Sequence, residues 1–498
     1  MRFQEKNKIL IPDIKRKFDD SRKISDFPHL PHPLIKSPYS YSSELQQFLS
    51  GKRLLHDELP FPFSEIQEHY EQGHISYSYG VLNGLCYRCG NSAKSLMGTF
   101  QCARCQGTCM YCRKCIMMGR VSECTPLISW CGPELSYERN SNLLNWKGTL
   151  SKGQQQASDK VVQSVKERAS VLVWAVCGAG KTEVLFDGIR AALTERQRVC
   201  IATPRTDVVL ELSPRLQQVF PSTEIATLYG GSEDRTKNAP LTIATTHQLL
   251  RYYHAFDTIV IDEVDAFPYS MEPMLQHAAN EARKEDGTII YLSATPSKEM
   301  QRDVSRKNLP CVVIPARYHG KPLPVPTFEW CGNWRTSITK NKLPRNVSAW
   351  IARHYKENKP IFLFVPNIKL LEKIVEFLKM SYGEEVEGVH SKDKERKEKV
   401  ARFREGTVRI LVTTTILERG VTVSNVQVAV LGAEDTIFTE SALVQIAGRA
   451  GRNAKFATGE VRLFHYGKTN EMVAARDHIK RMNYRAKHGG FLKGDRDE

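Results

Sequence analysis

The 498-residue sequence has no run of about 18 apolar residues, so no segment is suited to spanning a bilayer. Its first stretch, Met1-Arg-Phe-Gln-Glu-Lys-Asn-Lys8, holds no apolar h-region of the kind that directs secretion. The compartment expected from both absences is the cytosol. No short-period repeat stands out either. An acidic surplus is missing: 71 Lys and Arg face 55 Asp and Glu, leaving a net charge of +16. That surplus points to a polyanionic partner, with nucleic acid the first candidate and an anionic membrane surface the second; the bland alternative is a generally basic soluble protein. A hydrophobic fraction of 41% and a charged fraction of 25% fit a soluble globular chain with room for several domains.

Thirteen cysteines without a secretion signal suggest metal ligands or reduced thiols, not disulfides. Nine of them fall between residues 86 and 131. Cys86-Tyr-Arg-Cys89 is followed after twelve residues by Cys102-Ala-Arg-Cys105, then by Cys109, Cys112, Cys115, Cys124 and Cys131. Thiols two residues apart present both sulfurs to one tetrahedral ion, so the cluster predicts one or two structural Zn²⁺ sites. The spacing favours Cys86, Cys89, Cys102 and Cys105 around one ion. Cys109, Cys112, Cys115 and Cys124 then hold a second, or the pairs interleave. The interspersed Arg88, Arg104, Arg113, Lys114 and Arg120 suggest phosphate contact, against the plain alternative of a solvated basic surface. Cys177, Cys200, Cys311 and Cys331 are isolated and read as inert packing residues.

The fold class expected is α/β, with two tandem parallel-sheet lobes behind a small cysteine-rich zinc domain. Residues 1–80 read as a partly flexible basic arm and lead-in with short helices at 43–55 and 63–73. Residues 81–135 form the zinc domain and 136–315 the first lobe. Residues 316–335 read as a Pro/Gly-rich connector, 336–470 as the second lobe and 471–498 as a basic tail. First-lobe strands are predicted at 171–176, 199–203, 241–245, 258–262 and 288–293. Second-lobe strands are predicted at 361–365, 386–390, 408–413, 426–431 and 461–464.

The chemistry centres on Val171-Leu-Val-Trp-Ala-Val-Cys-Gly-Ala-Gly-Lys-Thr-Glu183, a buried strand running into a loop of small residues. Gly178 and Gly180 let the backbone wrap phosphates, Lys181 adds charge, and the Thr182 hydroxyl reaches Mg²⁺. Ala175 stands where such loops usually begin with glycine. Some eighty residues on, Thr258-Ile-Val-Ile-Asp-Glu-Val-Asp265 ends a strand in carboxylates. Asp262 is placed to hold Mg²⁺ and Glu263 to polarise the attacking water, with Asp265 beside them as a candidate coupler between lobes. Gln154, ahead of the first strand, is the candidate adenine reader. Ser293 and Thr295, in Ser-Ala-Thr, are the candidate couplers between lobes. In Gln445-Ile-Ala-Gly-Arg-Ala-Gly-Arg452, Arg449 and Arg452 are three apart and would share one helix face as arginine fingers, with Gln445 as a coupler. Thr203, Arg205, Thr245, Thr246, Asn367, His390 and Thr414 lie at predicted strand ends and are expected along a nucleic-acid strand. The Thr414–Thr422 segment completes the set.

The order of these motifs resembles the superfamily 2 helicases and translocases. More narrowly, the Cys pairs ending Met117-Met-Gly-Arg-Val-Ser-Glu-Cys124 are followed by the Trp174–Glu183 loop, Ala202-Thr-Pro-Arg-Thr-Asp-Val-Val-Leu-Glu-Leu212, Ala244–Leu250 and Phe438–Arg449. Together these resemble the ComFA family of late-competence ATPases. The resemblance implies a cytosolic motor, peripheral at the inner face of the cell membrane, that uses ATP and Mg²⁺ to pull incoming single-stranded DNA. It also implies ComFC-like, DprA-like and ComEC-like partners, and leaves room for an oligomer. Two other readings are a duplex-unwinding 3′–5′ helicase similar to PriA and a zinc-dependent DNA-binding scaffold with an idle nucleotide site. In the PriA family the cysteine cluster interrupts the second lobe, whereas here it precedes the first. The intact Lys181, Asp262, Glu263 and Arg452 argue against the scaffold.

Overall fold

A computed structural model of the chain describes residues 1–13, 19–36, 39–137, 143–417 and 423–493. The Glu418–Thr422 part of the Thr414 segment, residues 138–142 of the interdomain link, parts of the N-terminal arm and the end of the C-terminal tail lie outside the described residues. Two compact units emerge. One holds Met1–Lys147, Val161–Val171 and Phe186–Tyr291; the other holds Gly148–Lys160, Leu172–Leu185 and Leu292–Glu498.

In the first unit the described N-terminal residues are folded, where a partly flexible arm was expected. Phe3, Leu10, Ile24, Phe27, Leu45, Leu49, Ile66, Tyr70 and Tyr77 close into one apolar core with Ile128. The aromatic side chains scattered through this proline-rich stretch supply enough apolar surface to order it. The three-stranded antiparallel sheet beside that core runs Arg53–Leu55, Leu127–Trp130, Ile75–Ser78. Its central strand follows the cysteines in sequence and its edge strands precede them. The cysteine segment is therefore an insertion into this sheet, not a domain placed after an arm. The helix expected over 43–55 stops at Leu49, and residues 53–55 pair as a strand instead.

The seven strands of the first RecA-like lobe are divided between the units. Five belong to the first unit, in the parallel order Ile225–Leu228, Leu241–Thr245, Val199–Thr203, Phe256–Ile261 and Arg283–Ser293. Runs such as Val199-Cys-Ile-Ala-Thr203 are buried on both faces, as a sheet covered by helices on either side requires. In the second unit Val171–Ala175 pairs in parallel with Cys311–Ile314.

The second unit also carries the second lobe, a six-stranded all-parallel sheet. Its order is Thr327–Trp330, Val461–His465, Gln427–Leu431, Ile361–Phe364, Ile410–Thr413, Val386–Val389. Leu363, Val412 and Leu431 from its centre pack with Trp350, Leu371 and Ile374 of the covering helices. Residues 327–330 were expected inside the connector but form the edge of this sheet. The expected basic tail contains a 19-residue helix, Asn470–His488, burying Met472, Ala475, Ile479, Met482 and Ala486. Among the described residues no helix is long and apolar enough to cross a membrane.

The cysteine insertion is fixed to the rest of the first unit by buried charge. The Arg88 side chain is fully buried and donates to Leu250 O at 3.1 Å, Met118 O at 2.8 Å and Glu58 Oε1 at 3.0 Å. Arg53 donates to Tyr87 O at 2.7 Å and to Glu281 at 2.9 Å. Arg88 is thus a structural strut, not the phosphate contact expected of it. Removing one partner of a buried ion pair strands the other, at a cost of about 3 kcal/mol or more. Arg88→Met is therefore expected to lower unfolding stability by that order. Arg104→Met, which breaks a half-exposed pair with Asp57, should change it by less than about 1 kcal/mol. Denaturant titrations of the two variants check the contrast.

Candidate nucleotide site and metal centres

The phosphate-loop segment leaves the strand Val171–Ala175 and enters a helical turn at Lys181. Gly178 and Gly180 hold φ of +79° and +72°, the left-handed region where a β-carbon is strained. At Gly180 a β-carbon would also collide with the Gln154 amide. That amide is fixed at both ends: Gln154 Oε1 accepts from Ser151 N at 2.9 Å, and Nε2 donates to Gly180 O at 3.2 Å. Gln154 is thus a brace on the loop backbone. Ala175 is buried and paired in the strand, with Ile314 as its partner, so the missing glycine does not disturb the turn.

Within the same unit the loop meets the Gln445–Arg452 segment. Cys177 Sγ lies 3.0 Å from Gln445 Oε1 and is buried, so this cysteine takes part in a contact between motifs in place of the inert packing expected. The Thr295 and Ser441 hydroxyls are 2.7 Å apart, which joins the Ser-Ala-Thr turn to the helix carrying Gln445. Ser293 Oγ accepts from Thr295 N at 2.9 Å and fixes that turn.

Arg449 and Arg452 do not share a helix face. The helix Glu440–Ala447 ends before them, and they sit in the turns that follow. Arg449 is 2% exposed, and Arg452 Nε donates to Gly448 O at 3.0 Å. What orders these turns is a residue that the sequence reading left in the connector. Arg317, buried, donates to Ala450 O at 2.7 Å, to Gly448 O at 3.4 Å and to Gly451 O. His319 Nε2 is 3.3 Å from Gly451 O. The neighbouring Tyr318 N donates to Gly178 O at 3.1 Å. Three successive connector residues thus hold the phosphate loop and the arginine turns together. Burial, then the charge of Arg452, draws the Arg317 pKa down to about 10, which leaves it protonated at neutral pH. Its only signal in the sequence was a cation between Pro315 and Gly320.

Asp262, Glu263 and Asp265 belong to the first unit, in the turns after the strand Phe256–Ile261. Asp262 Oδ1 accepts from Glu263 N at 2.9 Å. Glu263 has φ +54°, a backbone state that costs a residue with a β-carbon roughly 1 kcal/mol or more and is concentrated at functional turns. The expected nucleic-acid residues divide. Thr203, Thr245 and Thr246 are buried, so their hydroxyls do not face solvent as expected; strand ends at these points are still covered by the lobe core. Arg205 is engaged by Asp207 through Nε at 3.0 Å and a terminal nitrogen at 2.6 Å. Asn367 caps the helix Ile368–Tyr382 by accepting from Leu370 N, and His390 Nδ1 accepts from Lys392 N. Thr414 is partly exposed just past the strand Ile410–Thr413.

The eight cysteines form two buried sets, Cys86/Cys89/Cys112/Cys115 and Cys102/Cys105/Cys109/Cys124, each with its sulfurs within 4.8 Å of one another. The favoured grouping of Cys102 and Cys105 with Cys86 and Cys89 is corrected to the interleaved one. The reason is the hairpin Met97–Cys102/Gly107–Cys112. At about 3.3 Å per residue it sets Cys109 and Cys112 roughly 10 Å apart, toward opposite ends of the hairpin. The segment Val121–Glu123 pairs beside it and delivers Cys124 to the turn end. Sulfur separations of 3.7 Å for Cys86–Cys115, 3.6 Å for Cys89–Cys112 and 3.6 Å for Cys102–Cys124 fit Zn²⁺. Tetrahedral Zn–S bonds of about 2.3 Å place sulfurs about 3.8 Å apart. A hydrogen bond from Cys109 draws the Cys124 thiol pKa down, which favours the thiolate form that binds metal. Four protein sulfurs complete each set and leave no open ligand position, which is the donor arrangement of a structural site.

The ComFA N-terminal domain family matches residues 36–129, the type III restriction enzyme res-subunit family residues 147–298, and the helicase conserved C-terminal domain family residues 341–454. The chain is 51% identical over 451 residues to the competence protein ComFA of Bacillus subtilis, covering 90% of this chain and 97% of that protein. It is 39% identical over 400 residues to ComFA of Streptococcus pneumoniae, covering 78% and 91%. A variant of S. cerevisiae Dbp5, solved with RNA and ADP BeF3, superposes with a TM-score of 0.50 at 18% identity over 69% of this chain and 94% of that one, a likeness of fold.

Metal analysis of the purified protein is expected to find about two zinc ions per chain, and about one after Cys86→Ser with Cys112→Ser. For Arg317→Met, maximal ATP turnover should fall on the order of 10²-fold with KM for ATP nearly unchanged, because misplacement of a transition-state group costs turnover more than binding. Steady-state kinetics check the split. A rise in KM with turnover intact would mean Arg317 serves only to shape the nucleotide pocket.

Proposed function

Because this chain belongs to the ComFA family of competence proteins, we propose that it is an ATP-driven single-stranded-DNA translocase that powers import of transforming DNA. The observation that carries this reading is the direct contact between the phosphate-loop residue Cys177 and Gln445 at the head of the arginine turns. A motor needs its phosphate cradle and its arginine-bearing segment within reach of each other, so that nucleotide state can alter how they pack.

The roles follow from residue chemistry. The loop from Ala175 to Thr182 presents backbone N–H groups, with Lys181 as the point charge on the β- and γ-phosphates. Gln154 braces Gly180, and it would meet the adenine edge by giving up its contacts to Ser151 N and Gly180 O. Asp262 and Thr182 are the residues that would hold Mg²⁺, which when bound neutralises phosphate charge. Glu263 orients the attacking water and accepts its proton. Arg449 and Arg452 stabilise charge that develops on the transferred phosphoryl group. Thr295, Gln445 and Arg317 transmit the rearrangement between motifs. The net charge of +16 favours the polyanionic track. Asn367, His390, Thr414 and Arg205 are the track contacts proposed here; Arg205 would leave Asp207 to reach a phosphate. A ComFC-like protein, a DprA-like strand loader and a ComEC-like channel at the inner membrane face are the proposed partners, on family membership alone.

Hydrolysis of ATP should rise several-fold with single-stranded DNA and fall on the order of 10²-fold or more in Lys181→Ala and Glu263→Gln. A phosphate-release assay with and without oligonucleotide measures both. Turnover indifferent to these changes would leave the scaffold reading standing. Efficient separation of a tailed duplex would favour a helicase of PriA type.

A further inference from the structure

A cavity of about 310 Å³ lies in the first unit, outside the nucleotide site and the metal centres. Lys52 and Tyr252 are part of its wall. Lys52 and Tyr252 form an antiparallel bridge, and Tyr253 N donates to Gly51 O at 3.0 Å. The wall carries three cations, Lys52, Arg235 and Arg251, and two carboxylates, Asp57 and Glu58.

Both carboxylates are already engaged. Asp57 accepts from Arg104 at 2.7 Å, and Glu58 accepts from Arg88 and Arg251, each at 3.0 Å. Lys52 is 3% exposed, and its amino group donates to Arg235 O at 3.2 Å. Among the described residues, neither Lys52 nor Arg235 has a carboxylate partner. A buried ammonium without a counter-ion is costly, and proteins rarely keep one without a use. Burial, followed by repulsion from Arg198 and Arg251, brings the Lys52 pKa down to about 7. An anion entering the cavity would remove that penalty and restore the full charge.

The rest of the wall narrows the class of anion. Phe48 is half-buried and carries the Lys52 ammonium over its ring, 4.7 Å from the centroid, so its face becomes open to a planar base when Lys52 turns from the ring to a phosphate. Gln248 supplies an amide beside it, held by Arg251 at 2.7 Å through its oxygen. Cations to grip a phosphate, an aromatic face to stack a base and an amide to meet its edge describe a nucleotide unit.

We propose that this cavity holds one nucleotide of the single-stranded DNA, with its phosphate between Lys52 and Arg235 and its base against Phe48. The proposal rests on the translocase reading and extends it: the N-terminal domain becomes part of the track, not only a mount for the zinc sites.

Anisotropy of a labelled oligo-dT with the full-length protein, repeated over a range of salt concentrations, tests it. Each lost phosphate contact should flatten the slope of log affinity against log salt by about 0.7. Because both cations share one phosphate, Lys52→Met and Arg235→Ala should each flatten the slope by up to that amount and bind about five- to tenfold more weakly. Phe48→Ala should weaken binding without altering the slope. Arg235 is exposed, so its variant carries the test if Lys52→Met lowers the melting temperature. Wild-type binding matched by folded variants in affinity and slope would overturn the cavity alone. Failure of the wild-type protein to bind would overturn the translocase reading and the cavity with it.

Discussion

A guanidinium taken out of water must be surrounded by acceptors, and Arg317 finds them in the carbonyls of Gly448, Ala450 and Gly451. That requirement holds the path of the turns bearing Arg449 and Arg452, because moving them would strip acceptors from a buried charge. The next residue, Tyr318, ties the same connector to Gly178 of the phosphate loop. The connector itself is held in place by Asn483, whose amide donates to Leu323 O at 2.9 Å and accepts from Leu323 N at 2.8 Å. A chain of directional contacts thus runs from the C-terminal helix through the connector to both sides of the nucleotide site. A change in phosphate-loop geometry would be felt along that chain, which is the property a translocating ATPase requires.

The N-terminal third shows the same economy in different chemistry. A small antiparallel sheet is interrupted by the cysteine insertion, and the insertion is closed by two four-sulfur sets at the two ends of one hairpin. Metal held by these sets would substitute there for the apolar core that a segment of this size cannot build. Arg88, set within the first Cys-x-x-Cys pair, then uses its buried charge to bind the insertion to Leu250 and Glu58. Metal occupancy and the attachment of the insertion to the rest of the first unit are therefore linked through a single knuckle.

Much of this was legible in the sequence where one residue type has one physical use. Apolar β-branched runs became the parallel strands, within a residue or two at most ends. Gly178 and Gly180 became left-handed turns, and eight closely spaced cysteines became two metal sets. What escaped reading depended on partners distant in sequence. The pairing of cysteines follows from a hairpin register that spacing does not reveal. Arg317 looked like one more charge in a linker, since its acceptors are backbone atoms some 130 residues away. The C-terminal helix was present as a stripe at Met472, Ala475, Ile479, Met482 and Ala486, close to a heptad spacing, but its many basic residues suggested a tail. Thr203 and Thr246 failed as surface hydroxyls because a strand end can remain inside the lobe.

The central claim is that nucleotide turnover moves this chain along a single strand. Stopped-flow fluorescence with end-labelled oligonucleotides of increasing length, started by adding ATP to the preformed complex, tests it most directly. The account predicts a lag before the end signal that lengthens in proportion to strand length. A signal whose timing is independent of length would show binding and release without movement, and would contradict it.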